Sequence, residues 1–384
     1  MKSLLKNNTR SLHGFSSLFL DALRLICALT VLFSHCGLVL VPEWMSRLHL
    51  YELGHGAVVV FFVLSGFVIA HTTSSRKRTF EDYLASRFSR LYSIYFPAIV
   101  FTAMCAIAAF LINPVIYSQY DRGYNLSRYL LSLFFCNELW FISSAPPVNI
   151  PLWSLSFEFW YYILFALIYY KAKNIKGVGI AVLVCCLIGP KILVMFPIWG
   201  LGWLAYKIRS FNLNISLARF ISLIFLIAAV ITIMYLPEYP YAVGSKPFYR
   251  ANAFMSDTIT GIFVAACMWV MPTNTEPLLK ESASIKKFRF YANLTYPIYL
   301  LHFPILVVCS AMLHKYDLHS MSWFCAGLST TLILCLLLGS YFEKRKGWWY
   351  NFFDTLINKK KLSFHPHKYA QSAQVAANRP QLKK

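Results

Sequence analysis

Charge is scarce in this chain, and acidic charge scarcest: 15 Asp and Glu stand among 384 residues, against 36 Lys and Arg. Soluble domains carry roughly a quarter of their residues charged, and at 13% this chain cannot clothe a soluble surface. Metal and disulfide signatures are missing as well. The ten cysteines include no CxxC pair and no Cys/His spacing suited to zinc, and most lie in apolar runs, as Cys185 and Cys186 do, where they read as packing residues. No metal is expected. An internal repeat, direct or inverted, is also absent, which weighs against the two-halved plan common among secondary transporters. No stretch reads as a separate soluble domain: the expected outer loops are short apart from 113–150, and 342–384 is a basic, polar tail expected to be flexible and to face lipid.

What the chain has in abundance is apolar surface, with 58% hydrophobic and 17% aromatic residues. Long uncharged runs recur along it, the mark of a polytopic, all-α membrane protein. Hydropathy places ten spans near 18–41, 56–73, 91–112, 151–170, 177–190, 193–207, 217–236, 254–271, 293–313 and 321–341. The basic start resembles that of a signal peptide, but the first apolar run is long, carries Arg24 and offers no small-residue cleavage site, so it reads as an uncleaved span. With the N-terminus in the cytoplasm, 28 Lys and Arg fall on the inner side, seven on the outer and Arg24 in the membrane. That bias fixes the expected orientation, with both termini cytoplasmic. It also explains the net charge of +21 as topology and attraction to anionic lipid, so no nucleic-acid partner is expected. Two places are weak as spans. The segment 129–142 is short and interrupted by Asn137 and Glu138, and reads as an interfacial or re-entrant piece; 177–190 and 193–207 are short and turned at Gly189 and Pro190.

Ionisable residues inside these spans are functional candidates, because charge at that depth is costly. Arg24 and His35 are eleven residues apart in the first span. On a helix that puts them within about 20° of one face and about 16 Å apart along the axis. The plainer reading has Arg24 snorkel and His35 bond a neighbouring helix. Ser65 and Gly66, in mid-span, read first as packing residues that let helices approach, and His71 as interfacial. Arg87 and Arg90, three apart on one face just before the third span, are either positive-inside residues or a phosphate clamp, since the guanidinium fork matches phosphate oxygens. Glu158 enters the fourth span from its outer end among Trp153, Trp160, Tyr161 and Tyr162, and could orient a catalytic histidine or bind an acceptor hydroxyl. His302, between Pro297 and Pro304, reads equally well as a satisfied core histidine.

In order and at matching spacing, LDALRLICALTVLFSH, FFVLSGF, RFSRLYSIYFP, PLWSLSFEFWYY and YPIYLLHFP resemble the acyltransferase 3 family of multi-pass membrane acyltransferases, over residues 15–341. The resemblance implies transfer of an acyl group, most often acetyl, from cytosolic acyl-CoA to a hydroxyl or amine on a glycan, lipid or similar acceptor. It implies a transmembrane acyltransferase domain over 1–341 in a bacterial inner (plasma) membrane, and here none of the C-terminal esterase-like domain that some members carry. The family's Arg-x10-His pattern falls on Arg24 and His35, its paired arginines on Arg87 and Arg90, and its glutamate on Glu158. On that basis the expected catalytic residues are His35, Glu158 and Arg24, and the expected acyl-CoA contacts are Arg87, Arg90 and Arg24, with Arg76, Lys77 and Arg78 adding field. His35 would act as general base, while Arg24 would hold the cofactor or polarise the thioester. Acyl transfer through His35 or Cys36 is the mechanistic rival, and Asp21 reads as a helix-start residue. The competing function is a transporter or flippase for a lipid-linked glycan, with Arg24, His35 and Glu158 lining its path. Reporter fusions after Lys384 and within 236–254 should report cytoplasm and exterior respectively; agreement between them would mean a span count wrong by an odd number.

Overall fold

The computed structural model describes residues 12, 14–40, 50–75, 78–172, 174–208, 213–272, 282–318 and 320–358. Arg76, Lys77 and 359–384 lie outside them. In chain order the helices are α1 (Phe15–Val39), α2 (Leu50–Ser75), α3 (Phe80–Ile112), α4 (Pro114–Ser118), α5 (Asn125–Leu133), α6 (Trp153–Ala166), α7 (Ile175–Ile188), α8 (Pro190–Lys207), α9 (Ile215–Tyr235), α10 (Phe254–Val270), α11 (Ala283–Asn293), α12 (Thr295–Lys315), α13 (Met321–Glu343) and α14 (Lys346–Asn358). No strand occurs among the described residues.

Each of the ten segments expected to span is helical, but they are not equivalent. Seven stretches are long and apolar enough to cross a membrane: α1, the part of α2 from Glu52, α3, Ile150–Lys171, α9, α12 and α13. α7 and α8 pass that test only together, and they bend by 119° at Gly189, ahead of Pro190. α10, with 17 residues, is shorter than a full span. Length and composition therefore support seven crossings, or eight with the bent pair as one. The segment 129–142 is no span: α5 ends at Leu133 and turns follow, with Asn137 and Glu138 fully buried.

Helix ends explain where apolar runs misplace the boundaries. α3 starts at Phe80, eleven residues before the expected span, because Thr79 caps it by accepting from Asp82 N at 3.1 Å, and Glu81 and Asp82 suit the positive end of the dipole. Arg87 and Arg90 thus lie within α3, not ahead of it. At 33 residues the helix is about 50 Å long, well beyond the hydrocarbon thickness, so its first turns project from the apolar layer. The stretch read as tail is also helical through Asn358: Phe353 packs on Phe88 with ring centroids 5.7 Å apart, and Trp349 stacks on Tyr92 at 6.0 Å. Its polar average hid this aromatic face.

α2 and α12 are central, α2 against α1 and α8, and α12 against α1, α3 and α13. α9 and α13 lie outermost and present exposed Leu223, Ile227, Ile231, Ile333 and Leu337, as lipid contact requires. Pro304 cannot donate to the Leu300 carbonyl within α12, and Asn149 Nδ2 takes that acceptor at 3.1 Å while also bonding Thr102 Oγ1 at 2.8 Å. α2 and α8 touch backbone to backbone at two glycines. A Cβ on Gly66 would fall 2.0 Å from Trp199 O, and one on Gly202 would fall 1.9 Å from Val63 O. Neither atom is a flexible side-chain end, so relief requires the helices to part. Gly66→Ala or Gly202→Ala should each destabilise the bundle by about 1–3 kcal/mol, read as a lower thermal midpoint in detergent, whereas Gly179→Ala, which meets nothing within 4 Å, should not.

Candidate functional site

Five helices, α1, α2, α3, α6 and α12, enclose a cavity of about 90 Å³ that brings Arg24, Arg87, Arg90 and Glu158 together. The three-residue spacing of Arg87 and Arg90 carries both into it from one face of α3. Arg87 is buried, lies 5.6 Å from the Tyr83 ring centroid and 5.9 Å from that of Tyr162, and donates through Nη2 to Thr72 Oγ1 at 2.9 Å, while its Nε has no partner. Arg24 sits 3.8 Å from Asp21, which also lies 3.4 Å from Arg289, so Asp21 bridges α1 to α11. Among the described residues no carboxylate pairs with Arg87 or Arg90. Lys346, at the start of α14, adds positive charge close by: burial and then Arg90 draw its ammonium below the ordinary lysine range, against the pull of Glu343.

The one carboxylate in the cavity is hydrogen-bonded through one of its oxygens. Glu158 Oε1 accepts from Ser65 Oγ at 2.9 Å and from Tyr162 OH, and Ser65 Oγ accepts from Trp199 Nε1 at 3.2 Å. Three guanidiniums against one hydrogen-bonded carboxylate leave the cavity with unmatched positive charge. In a low-dielectric interior that charge calls for an anion.

His35 lies outside this cavity. Its Nδ1 is 2.8 Å from His302 Nε2, and His302 Nδ1 is 2.9 Å from the Ile298 carbonyl oxygen. A carbonyl only accepts, so in the neutral pair His302 Nδ1 carries the proton and its Nε2 accepts. His35 Nδ1 then donates, and His35 Nε2 is left with an open lone pair. The ring is half-buried, with the edge of Phe303 at a centroid distance of 5.1 Å. Tyr299, which lines the cavity, has its ring 6.0 Å from that of His302. His302 therefore orients His35, and Glu158, held by Ser65 and Tyr162, does not.

Residues 17–340 match the family model described as an acyltransferase domain, most of the chain's length. The chain belongs to the acyltransferase 3 family. It is 29% identical over 133 residues to the exopolysaccharide production protein ExoZ of Rhizobium meliloti (strain 1021), 30% over 180 residues to an O-acetyl transferase of Shigella phage Sf6, and 31% over 163 residues to the acyltransferase MdmB of Streptomyces mycarofaciens. These matches take in 33%, 43% and 40% of this chain and 38%, 49% and 39% of those relatives, so the chain matches less than half the length of each. No solved structure matches it.

In this acyltransferase 3 chain the structure gathers four of the five expected site residues in the cavity and holds the fifth, His35, outside it, beyond Tyr299 and His302. Ser65, Tyr162, Thr72 and Tyr299 join the site unannounced. Tyr162 was findable, since it stands one helical turn from Glu158; Thr72 and Tyr299 carry no local signal. At the same end of the bundle as His35 stand two further ionic pairs. His55 Nε2 meets both carboxylate oxygens of Asp257 at 3.1 and 3.0 Å, with the His55 ring parallel to Trp153. Lys191 pairs with Glu138 in full burial, where Ser143 Oγ also donates to the carboxylate at 3.3 Å; burial raises the Glu138 carboxyl and Lys191 acts against it.

Proposed function

We propose that this chain is a membrane acyltransferase that moves an acyl group, preferentially acetyl, from cytosolic acyl-CoA to a hydroxyl of a glycan or lipid-linked sugar, in a bacterial inner membrane with both termini cytoplasmic. The observation that carries this is the cavity with three guanidiniums and one engaged carboxylate, ending one ring short of a histidine with a directed lone pair. The phosphates of CoA are the anion that such a cavity calls for, and Arg87 and Arg90 offer planar donor forks to them. Arg24 belongs to the same donor side. Its Cα stands about 16 Å from that of His35 along α1, further than an arginine side chain spans, so Arg24 holds the cofactor and does not polarise the reacting carbonyl.

In the reaction, the acceptor hydroxyl gives its proton to His35 Nε2 as its oxygen attacks the thioester carbonyl carbon. The tetrahedral intermediate collapses with cleavage of the C–S bond, the sulfur leaves as thiolate, and His35 returns the proton to it. His302 keeps His35 in the tautomer whose Nε2 is basic and shares the positive charge that forms there. Tyr299 and Phe61, with ring centroids 6.1 Å apart, stand at the cavity's end, and their side chains must turn for the thioester to pass. Glu158 fixes Tyr162 and Ser65 in the cavity wall and offsets part of the arginine charge. Cys36 is fully buried beside His35, on a helix position about 100° away, which favours direct transfer over an acyl-cysteine.

His35→Ala should fold and insert normally and lose roughly 10²- to 10⁴-fold in acyl transfer; near-normal product from a well-expressed variant would remove His35 from the chemistry. Arg87→Lys and Arg90→Lys should each raise the apparent KM for acyl-CoA, more so with added salt, because a point charge replaces a fork. Lysine satisfies the positive-inside rule equally well, so unchanged acyl-CoA dependence in the double variant would reduce the pair to boundary residues.

A further inference from the structure

Tyr83 and Thr72 touch Arg87 from behind the arginine cavity, and neither of them lines it. Tyr83 stands one turn before Arg87 on α3, Thr72 near the end of α2, and Tyr162, which does line the cavity, on α6. The Arg87 guanidinium is 5.6 Å from the Tyr83 ring centroid and 5.9 Å from that of Tyr162, within the reach of a cation held by a ring. Each part of this frame is itself fixed. The Tyr83 ring packs on Phe165 and Tyr170 with centroids 5.7 and 5.9 Å away, Thr72 Oγ1 donates to the Ile69 carbonyl at 3.3 Å while accepting from Arg87, and the Tyr162 hydroxyl donates to Glu158. The Tyr83 hydroxyl, by contrast, is buried with no hydrogen-bond partner, so this tyrosine meets Arg87 through its ring alone. A carboxylate in its place would hold Arg87 by neutralising it and by occupying its N–H groups. Aromatic rings attract the charge without taking an N–H, and Thr72 takes one, so the charge and the other donors stay available.

We propose that Tyr83 and Thr72, with Tyr162, are positioning residues for the acyl donor: they set the Arg87 guanidinium before the donor arrives and leave its remaining N–H groups to a phosphate of CoA. This rests on the reading of the cavity as the acyl-CoA site. Neither Tyr83 nor Thr72 lines the cavity, so any effect of theirs on the donor passes through Arg87. The gain is preorganisation: an arginine side chain held in one place beforehand loses less freedom on binding than one that must be ordered by the ligand.

The test is isothermal titration of the full chain in detergent with CoA, which needs no acceptor. Tyr83→Leu should weaken CoA binding by about 5- to 30-fold, and Thr72→Val by about tenfold. Tyr83→Phe keeps the ring and drops only the unpartnered hydroxyl, and Thr72→Ser keeps the oxygen, so each should restore the affinity of the unaltered chain. In an Arg87→Gln background neither Tyr83→Leu nor Thr72→Val should weaken binding further, because both act through the group already removed. If Tyr83→Leu does not fold, Thr72→Val, which keeps the shape of the side chain, carries the same comparison. Weakening that persists undiminished in the Arg87→Gln background marks a general loosening of the bundle and overturns the proposal, as does a Tyr83→Phe chain that binds no better than Tyr83→Leu. If Arg87→Gln weakens binding while Tyr83→Leu and Thr72→Val do not, the positioning role alone falls. If Arg87→Gln itself leaves CoA binding unchanged, the acyl-CoA reading of the cavity falls and takes the positioning role with it.

Discussion

A guanidinium inside an apolar bundle must be hydrogen-bonded, offset by an anion, or both, and one cavity of this bundle holds three with a single carboxylate among them. Arg24 has Asp21 at 3.8 Å, Arg87 has one neutral hydroxyl and two aromatic faces, and Glu158 spends its Oε1 lone pairs on Ser65 and Tyr162. The Ser65 and Tyr162 hydrogen bonds hold the carboxylate in the cavity wall, where three guanidiniums still outnumber it. The same bonds tie into the helix packing. Ser65 reaches Glu158 from α2, and α2 is drawn against α8 at Gly66, the next residue, where Trp199 supplies both the backbone contact and the indole that bonds Ser65.

Much of the arginine-lined cavity was legible from local spacing. Arg87 and Arg90 share a face because they are three apart, and Glu158 meets Tyr162 because they are four apart. The helical segments themselves followed from uncharged runs. What local spacing could not supply were pairings made across the bundle: His35 with His302, 267 residues away, and Glu158 with Ser65, 93 residues away. His302 read equally well as a core histidine, and it is fully buried with both nitrogens engaged; its importance lies in what its second nitrogen does to His35. Ser65 read as a packing residue, and Gly66 beside it is one; a serine that packs and a serine that bonds a carboxylate have the same sequence signal. The aromatic face of α14 escaped notice because lysines and arginines on both sides lowered the hydropathy of the whole stretch.

The separation of Arg24 from His35 bears on roles that the sequence left open. Both residues lie on one face of α1, which suggested a shared site, yet a rise of about 16 Å is too long for one reacting group to touch both. The structure resolves this by giving each its own surroundings, Arg24 among arginines and Glu158, His35 among aromatic rings and His302. An extended thioester substrate matches that division, since its anionic and reactive ends are themselves far apart.

The tautomer of His35 depends, in turn, on a carbonyl of α12. Ile298 O accepts from His302 Nδ1, and that bond alone makes His302 Nε2 an acceptor; without it either ring nitrogen of His302 could carry the proton, and His35 Nδ1 would lose its reason to donate. The position of Ile298 relative to His302 is one helical turn, so the arrangement survives only while α12 stays regular there. Two prolines flank it, and the helix remains intact because the carbonyl freed by Pro304 is taken by Asn149, which is itself anchored on Thr102 of α3. The loop ahead of α6 therefore supports His35 indirectly: it completes the hydrogen bonding of the helix whose carbonyl selects which nitrogen of His35 keeps its lone pair.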